Sequence, residues 1–569
     1  MRHLLIQIRH LLLKQLDKFF PITVSCHCCN SSGSFSSRIT TSPPSFVYTS
    51  PTHPCPHPHS LSILPNTTTL TVIDNLGGLG NAEGVFFTEG TSMNVELIAS
   101  LKPKLREFLQ KFDACFKRSD TRGHLPIYVE GLLADLPRKN CEPIADAQGV
   151  PPRTLQQFLS LLDWDHAGMK TKMQQLVAQE HACSHSVGLI DETGCPKKGL
   201  KTPGVQRQWC GATGKKDNCV VTVHLGYAAD DFHCLLDQEL FLPESWSQDR
   251  PRCQQASIPD DMVHRPKSEI ALELYDRARR NGVQFAWLTF DEGYGKSVAF
   301  LDALRSRGQR FVAEVPVTCT GWLELPETTT APHPHGGRPS QQPRLVAGTP
   351  PFRTVQEMLT HEPAVQNQPW QAWYVKDGEK GPMVWEAKHV WFYPRGTDGL
   401  PQEGAHLVIA RNVLERDKLK YFVAHAPRET SLGVLLKVGF TRWRVERCFE
   451  DAKTELGFDH FEGRSYVGLM RHQLLCSLTH LFLSRTQQEW RGEKSRAYGV
   501  PSPHGDRRLD SILVADEPLV SPLADPHRRH ALPHPTSPLP LPQKPPQTHH
   551  SPLTPATNHP PKPTQVSVG

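Results

Sequence analysis

Short apolar runs and amphipathic helical patterns alternate between residues 187 and 317, and this alternation constrains the fold more than any other feature. Short apolar runs bounded by turn residues predict strands, whereas apolar residues spaced three and four apart predict helices. The predicted order is three strands, a helix, a strand, a helix and a strand, at residues 187–191, 219–229, 234–243, 268–282, 285–295, 296–308 and 311–317. Strands and helices that alternate in this way imply a mixed sheet covered by helices, so we expect an α/β fold.

Helical patterns precede this core, and strand patterns interrupt it. Residues 90–182 carry leucines four positions apart and predict an all-α N-terminal domain, which could bind DNA or serve only for packing. Residues 318–420 combine a loop with Trp-rich strand patterns and predict a β-rich insertion. The core then resumes over 421–490, with a helical run from about Ser431 to Leu456. We therefore expect the core in two parts, 183–317 and 421–490.

Both ends of the chain differ from this globular part in composition. Residues 521–569 are rich in proline and histidine and have no apolar periodicity, and residues 42–69 are similar. Such segments cannot bury enough apolar surface to offset the entropy lost on ordering. We expect residues 491–569 to be a disordered tail and residues 1–85 to be a disordered or non-native extension. The basic, apolar start of that extension fits an organellar targeting helix, a surface-seeking amphipathic helix or a segment without function.

Composition also excludes several classes of protein. The chain contains no apolar run of about 18 residues or more, which excludes a membrane-spanning helix. Its 15 cysteines form no regular framework in a short domain, so we expect reduced thiols in an intracellular protein. The Cys/His clusters at 26–29 and 181–185 lack a second ligand pair at zinc-site spacing. The net charge of +5 permits a nucleic-acid partner without requiring one.

Three carboxylates are the candidate reactive groups. Asp191 and Asp291 each end an apolar run, which is where open α/β sheets place their sites. Glu446 shares one face of the last predicted helix with Arg442 and Lys453, although salt bridging on a solvated surface would explain that face equally well. Carboxylates that converge repel one another and need a cation, and oxygen ligands suit Mg²⁺ or Mn²⁺. Two such ions would support chemistry at a phosphodiester.

Several segments of the chain, in the same order, resemble the DDE-type insertion-sequence transposases, of the IS-four kind and closest to the IS-seven-zero-one-like group. The resembling segments are DLPRKNCEPIAD (135–146), 190–219, ELFLPESWSQDRPRC (239–253), TFDEGYG (289–295) and 442–465. The resemblance implies an RNase H-like core interrupted by a β-strand insertion between the second Asp and the Glu. It also implies that Asp191, Asp291 and Glu446 are the catalytic, metal-binding acids, holding two Mg²⁺ or Mn²⁺ ions.

The resemblance further implies the reaction and the partner. The expected activity is cleavage of double-stranded DNA at transposon ends, followed by transfer of the freed 3′-hydroxyl into target DNA by a dimer that pairs two ends. The chain would be intracellular and DNA-associated, in the cytoplasm or nucleoid of a prokaryote. The alternatives are a transposase-derived DNA-binding protein without transposition activity and a metal-dependent nuclease.

Cationic and aromatic side chains are the candidate DNA contacts. Arg442 and Lys453 would contact phosphates near the cut. The basic stretch after the first acid would either track the DNA backbone or form a solvated loop, and it contains Lys197, Lys198, Lys201 and Arg207. The tryptophans of the insertion would stack on bases or belong to its core.

The chain departs from the family signature, Tyr-x2-Arg-x3-Glu-x6-Lys, at one position. Gly439 stands where the signature has Tyr.

Overall fold

The computed structural model describes residues 95–331, 342–378 and 381–498, together with four short strands between residues 39 and 73. Those strands pair antiparallel in chain order, as β1 (Ile39–Ser42), β2 (Ser45–Tyr48), β3 (Ser60–Ser62) and β4 (Thr71–Ile73). The sequence predicted no regular structure there, but short β-prone runs between prolines are enough to form them. The predicted basic start and the Pro-rich tail after residue 498 lie outside the described residues.

Five helices precede the central sheet in the described part of the chain. They are α1 (Val95–Gln110), α2 (Ser119–Leu133), α3 (Cys141–Gln148), α4 (Pro152–Ser160) and α5 (His166–Glu180). Side chains at their starts fix two of them, because Asn140 accepts a hydrogen bond from an α3 backbone N–H and Asp165 does the same for α5. Gly149, in the left-handed conformation at φ 67°, ends α3.

The first part of the sheet matches the predicted alternation of strands and helices. Its strands are β5 (Val187–Pro196), β6 (Gln206–Cys210), β7 (Lys215–Ala229), β8 (Phe232–Leu240), β9 (Trp287–Phe290) and β10 (Phe311–Val315). The helices between them are α6 (Glu244–Ser247), α7 (Arg250–Gln255), α8 (Lys267–Arg280), α9 (Glu292–Gly295) and α10 (Val298–Ser306). The strand order is β8–β7–β5–β9–β10, with β7 antiparallel to β5, and β9 parallel to both β5 and β10.

The strands of the predicted insertion continue this sheet. They are β11 (Thr320–Trp322), β14 (Arg353–Thr354), β15 (Gln371–Gly378), β16 (Gly381–Pro394) and β17 (Ala405–Asn412). The next strand, β18 (Leu419–His425), begins the predicted second part of the core. β18 pairs antiparallel with β10, and β17 and β16 follow outward. A separate two-stranded pair and two helices complete the region, as β12 (Thr328–Thr329), β13 (Arg344–Leu345), α11 (Val355–His361) and α12 (Pro363–Gln366).

Three helices follow the sheet: α13 (Leu432–Thr441), α14 (Trp443–Leu456) and α15 (Tyr466–Tyr498). The sequence predicted one helical run across the first two, but the structure divides it at Arg442. Residues 472–481 of α15 are buried on every side, and the helix extends eight residues into the stretch predicted as tail. No helix in the described ranges is both long and apolar enough to cross a membrane.

A buried ion pair ties the first five helices to the sheet. Asp237 on β8 is fully buried and lies 2.8 Å from the ammonium of Lys170 on α5 and 2.7 Å from the guanidinium of Arg277 on α8. Burial alone would raise the pKa of Asp237, but the two cations outweigh it and lower that pKa. The carboxylate is therefore ionised and paired where the two layers meet.

Candidate active site

The pairing of β5 with β9 brings the two aspartates together. Ile190 is in register with Phe290, and Asp191 and Asp291 are the next residue on each chain segment. The prediction that Asp191 ends its strand was wrong, because β5 continues to Pro196 by pairing with β7 after β9 has ended. Asp291 directly follows the last residue of β9 and precedes the short helix α9. The two carboxylates therefore lie at the end of the sheet where β9 ends.

The helix α14 brings the third acid to the same place. The guanidinium of Arg442 donates to Asp191 Oδ2 at 3.1 Å and lies 2.8 Å from Glu446 Oε1. A single planar guanidinium thus joins the first and third acids, which places their carboxylates within about 8 Å of each other. The side chain of Glu446 is 59% exposed and that of Asp191 only 13%. The site therefore has a buried side on the sheet and an open side on the helix.

Lys453 anchors the other end of α14 to β5. Its ammonium donates to Thr193 Oγ1 at 2.7 Å and to the carbonyl oxygen of Gly194 at 3.0 Å. Arg442 and Lys453 thus contact the same strand, three helical turns apart, as expected for residues on one helical face. Arg442 and Lys453 therefore lie against the sheet, whereas Glu446 is exposed and forms with Arg442 the i,i+4 ion pair expected of a salt-bridged surface.

Burial disfavours the ionised forms of Asp191 and Asp291. It raises the pKa of Asp191 to about 7, although Arg442 opposes the rise, and the nearby Asp291 adds to it. Burial and the carboxylate of Glu192 likewise raise the pKa of Asp291. Oδ1 of Asp291 is buried and has no hydrogen-bond partner among the described residues. An ionised carboxylate in that position needs a cation.

These carboxylates fit a divalent cation. Asp191, Asp291 and Glu446 offer hard oxygen donors, which suit Mg²⁺ or Mn²⁺ better than zinc. Oδ1 of Asp291 is an acidic oxygen that no hydrogen-bond donor of the described residues satisfies. The donor set therefore agrees with the ions that the motifs implied.

Two residues of the site were not singled out from the sequence. Glu192 forms an ion pair with Lys267, and its carboxylate contributes to the raised pKa of Asp291. Tyr294 is fully buried, and burial together with the carboxylates of Glu192 and Asp191 raises the pKa of its phenol well above the usual value. Both lie inside the resembling segments, within three residues of an acid, and that proximity was the available signal.

The residues of the predicted basic stretch after Asp191 differ in their exposure to solvent. Lys198, Lys201 and Arg207 are exposed. Lys197 is half-buried, and its ammonium donates to the carbonyl oxygens of Asp459 and Phe461, each at 2.7 Å. Burial also lowers the pKa of Lys197.

Tight packing accounts for the departure at Gly439. A Cβ atom there would lie 3.2 Å from Cγ1 of Val312 on β10 and 3.4 Å from the ring of Phe422 on β18. The position points into the sheet, so this chain has no room for the tyrosine of the family signature.

Four of the five tryptophans of the insertion, Trp370, Trp373, Trp385 and Trp391, contact neighbouring side chains or backbone through their rings. Trp385 is buried against Phe440 at 5.0 Å between ring centroids. Trp373 lies on Gly433 of α13. The other two are half-buried and contact cations or imidazole, as Trp370 with Lys388 and Arg411, and Trp391 with His406 and Arg428.

A second group of potential metal ligands lies away from the carboxylates, next to the first residue of β5. Cys183, His185 and Asp230 each offer an atom within 4.8 Å of the others, and His185 Nε2 is 2.6 Å from Asp230 Oδ1. The hydrogen bond between the imidazole and the carboxylate accounts for this arrangement without an ion.

Comparison with known proteins agrees with this site. Residues 111–382 match the family model of the DDE superfamily endonucleases, a range that includes Asp191 and Asp291 and ends before Glu446. Over 181 residues the chain is 33% identical to a probable transposase for insertion sequence element IS701 from Microchaete diplosiphon. That alignment covers 31% of this chain and 44% of the relative, so the match spans less than half of the curated protein. The two matches confirm the resemblance that the motifs predicted, that of a DDE-type insertion-sequence transposase.

Proposed function

We propose that the chain is a DDE transposase that cleaves DNA strands at transposon ends and transfers the freed strand into target DNA. The observation that carries this proposal is the Arg442 guanidinium, which joins Asp191 to Glu446 beside the unpartnered oxygen of Asp291. One acid lies on β5, one directly after β9 and one on α14, and these three residues are separated by up to 255 residues of sequence.

The topology supports an RNase H-like core. Three antiparallel strands are followed by two strands parallel to the first, and helices connect the parallel ones. On this proposal, 183–317 and 421–490 form the core, 318–420 is the insertion and 90–182 is a helical domain that could bind DNA.

The side chains of the site have separable roles. Asp191, Asp291 and Glu446 would hold two Mg²⁺ or Mn²⁺ ions, which when bound activate an attacking oxygen and stabilise a leaving one at phosphorus. Arg442 orients the first and third acids, and Lys453 fixes α14 against β5. Water is the first nucleophile and the freed 3′-hydroxyl is the second, so no covalent protein–DNA intermediate forms.

Double-stranded DNA is the proposed partner, bound by a dimer that pairs two ends. Lys198, Lys201 and Arg207 are exposed and would contact phosphates. A phosphate contact by Lys197 requires that it release its two carbonyl partners. Arg442 and Lys453, which hold the helix on the sheet, would contact the phosphates nearest the cut. The protein would act inside the cell, on DNA.

Nicking of supercoiled plasmid in Mg²⁺ or Mn²⁺ tests the chemistry. Asp191→Asn, Asp291→Asn and Glu446→Gln should each lower the nicking rate about a hundredfold or more, because each removes a metal ligand. Glu450→Gln, on the same helix but paired with Arg447, is the matched control and should retain activity. Full activity in Asp191→Asn would contradict the proposal.

Strand transfer separates the proposal from its alternatives. Inverted repeats in the nucleotide sequence that flanks the reading frame would identify the end sequences for this assay. A transposase joins these ends to target DNA, a nuclease cuts without joining, and a DNA-binding derivative binds without cutting.

A further inference from the structure

The hairpin of β6 and β7 extends the sheet beyond the end of β5. β6 pairs with residues 215–219 of β7, whereas β5 pairs with β7 only as far as Cys219. The four-residue turn 211–214, with Gly214 at φ 63°, closes the hairpin. Among the strands that the structure describes, β6 is the last on this side of the sheet order, and one of its edges is unpaired.

This hairpin presents an exposed tryptophan among cations. The Trp209 side chain is 62% exposed, although tryptophan normally buries most of its large apolar surface. Arg207 precedes it by two residues on the same exposed row of β6, and Lys216 is its direct partner across the hairpin. Within the described residues, the indole ring has no aromatic or cation contact of its own. A large apolar ring flanked by positive charge suits a polyanion that also offers apolar surface.

The register places these residues on the catalytic face of the sheet. Directly paired residues of antiparallel strands point to the same face, and the face repeats every second residue. Trp209 pairs with Lys216, and even steps along β7 lead from Lys216 to His224, which pairs with Asp191. Neither pairing contains a register shift over these residues. Trp209, Lys216 and Asp191 therefore lie on one face.

The distance between Trp209 and Asp191 along that face follows from the length of β7 between their partners. Lys216 and His224 are eight residues apart, and a strand rises about 3.3 Å per residue, so Trp209 lies about 26 Å beyond the level of Asp191. Duplex DNA rises about 3.4 Å per base pair, so this span corresponds to about eight base pairs.

We infer that the hairpin face of Arg207, Trp209 and Lys216 binds duplex DNA about eight base pairs from the phosphate held at the carboxylate site. This inference rests on the proposed function and assigns Trp209 a part in holding the same DNA. The two cations neutralise phosphates and set the position of the duplex. The indole packs against sugars and base edges in the minor groove, where proteins commonly place apolar side chains.

Fluorescence anisotropy with a labelled mixed-sequence duplex of about two helical turns tests the inference, with EDTA present so that catalysis plays no part. Trp209→Ala in the full chain should weaken binding about tenfold, as expected for loss of one aromatic contact with nucleic acid. Trp209→Phe should restore most of the affinity. Lys216→Ala should reduce the salt dependence of binding by about one phosphate equivalent. Leu414→Ala, at another exposed apolar residue, is the control and should bind as the wild type does.

Two results separate this inference from the proposed function. Wild-type affinity in both Trp209→Ala and Lys216→Ala would overturn the hairpin assignment, even if plasmid nicking still requires Asp191. Nicking that is absent from the wild type, or unchanged in Asp191→Asn, would overturn the proposed function whatever the hairpin binds. Because Trp209 and Lys216 are exposed, unchanged melting temperatures should accompany both substitutions.

Discussion

Arg442 donates to Asp191 across 251 residues of sequence, at 3.1 Å, and the same guanidinium lies 2.8 Å from Glu446. The contact joins the helix that carries the third acid to the strand that carries the first. It also moderates the pKa of a carboxyl that burial raises to about 7. The chemistry of the site should therefore respond to this arginine through pH.

Arg442→Gln should shift the pH dependence of plasmid nicking. The acids must be ionised to hold a cation, and Arg442 lowers the pKa of Asp191, so its removal raises that pKa further. The acidic limb of the rate profile, expected near pH 7 in the wild type, should move to higher pH by about one unit. Arg447→Gln, which removes a cation paired with Glu450 and Asp451, should leave the profile in place. An unshifted limb in Arg442→Gln would mean that the contact is only structural.

Divalent cations should stabilise the protein in the absence of DNA. A ligand that binds only the folded state raises the melting temperature, and the unpartnered Asp291 oxygen offers such a site. Mn²⁺ should therefore raise the melting temperature of the wild type. Asp291→Asn should abolish the rise, whereas Glu450→Gln should retain it. Calorimetry at neutral pH in buffers of different ionisation enthalpy should detect proton release, because the pKa of Asp191 is about 7. The same temperature rise in Asp291→Asn would place the cation elsewhere.

Gly439→Tyr should destabilise the fold even though tyrosine is the residue of the family signature. Its Cβ alone would approach Val312 at 3.2 Å, and the ring would have to displace the sheet, so the free energy of unfolding should fall by about 2–3 kcal/mol. Gly123→Tyr is the matched control, since it also lies within a helix and a Cβ there would meet nothing within 4 Å. Denaturant unfolding of the two variants compares them directly, and equal stabilities would show that the α13–sheet contact can open.

Asp237→Asn should weaken the junction between α5, α8 and β8. Loss of the buried carboxylate should cost about 3 kcal/mol, because the half-buried cations of Lys170 and Arg277 are left without their counter-ion. The folded-state pKa of Asp237 is lowered, so its contribution is present above the unfolded-state pKa and is lost as the pH falls through the folded-state value.

The pH dependence of urea unfolding checks this assignment. Wild-type stability should fall on acidification below about pH 4, and Asp237→Asn should remove part of that slope. Asp261→Asn removes an exposed carboxylate and should leave the slope unchanged. A slope of wild-type steepness in Asp237→Asn would assign the acid sensitivity to other carboxyls.

Sequence patterns were informative wherever a local period carried the signal. Most of the alternating core elements were predicted, and so was the common face of Arg442 and Lys453, since each depends only on the local repeat of a strand or helix. The strand β6 and the short helices α6, α7 and α9 were not predicted. Pairing between distant strands has no such local signal. For this reason the extension of β5 past Asp191 along β7, and the continuation of the sheet from β18 through β17 and β16, could not be predicted. The role of Gly439 was also hidden, because it depends on Val312 and Phe422 from two other strands.

Because β18 pairs with β10, the region between these two strands holds a fixed position in the sheet and cannot be removed as a separate module. These strands are matched from Phe311↔His425 to Val315↔Tyr421, and the helices that lead to Glu446 begin seven residues after His425. A slip of one residue in this ladder would turn alternate side chains to the opposite face and displace the start of those helices. Insertions and deletions are therefore tolerable in the outer loops of this region. The position of Glu446, in contrast, depends on the register of β18 against β10.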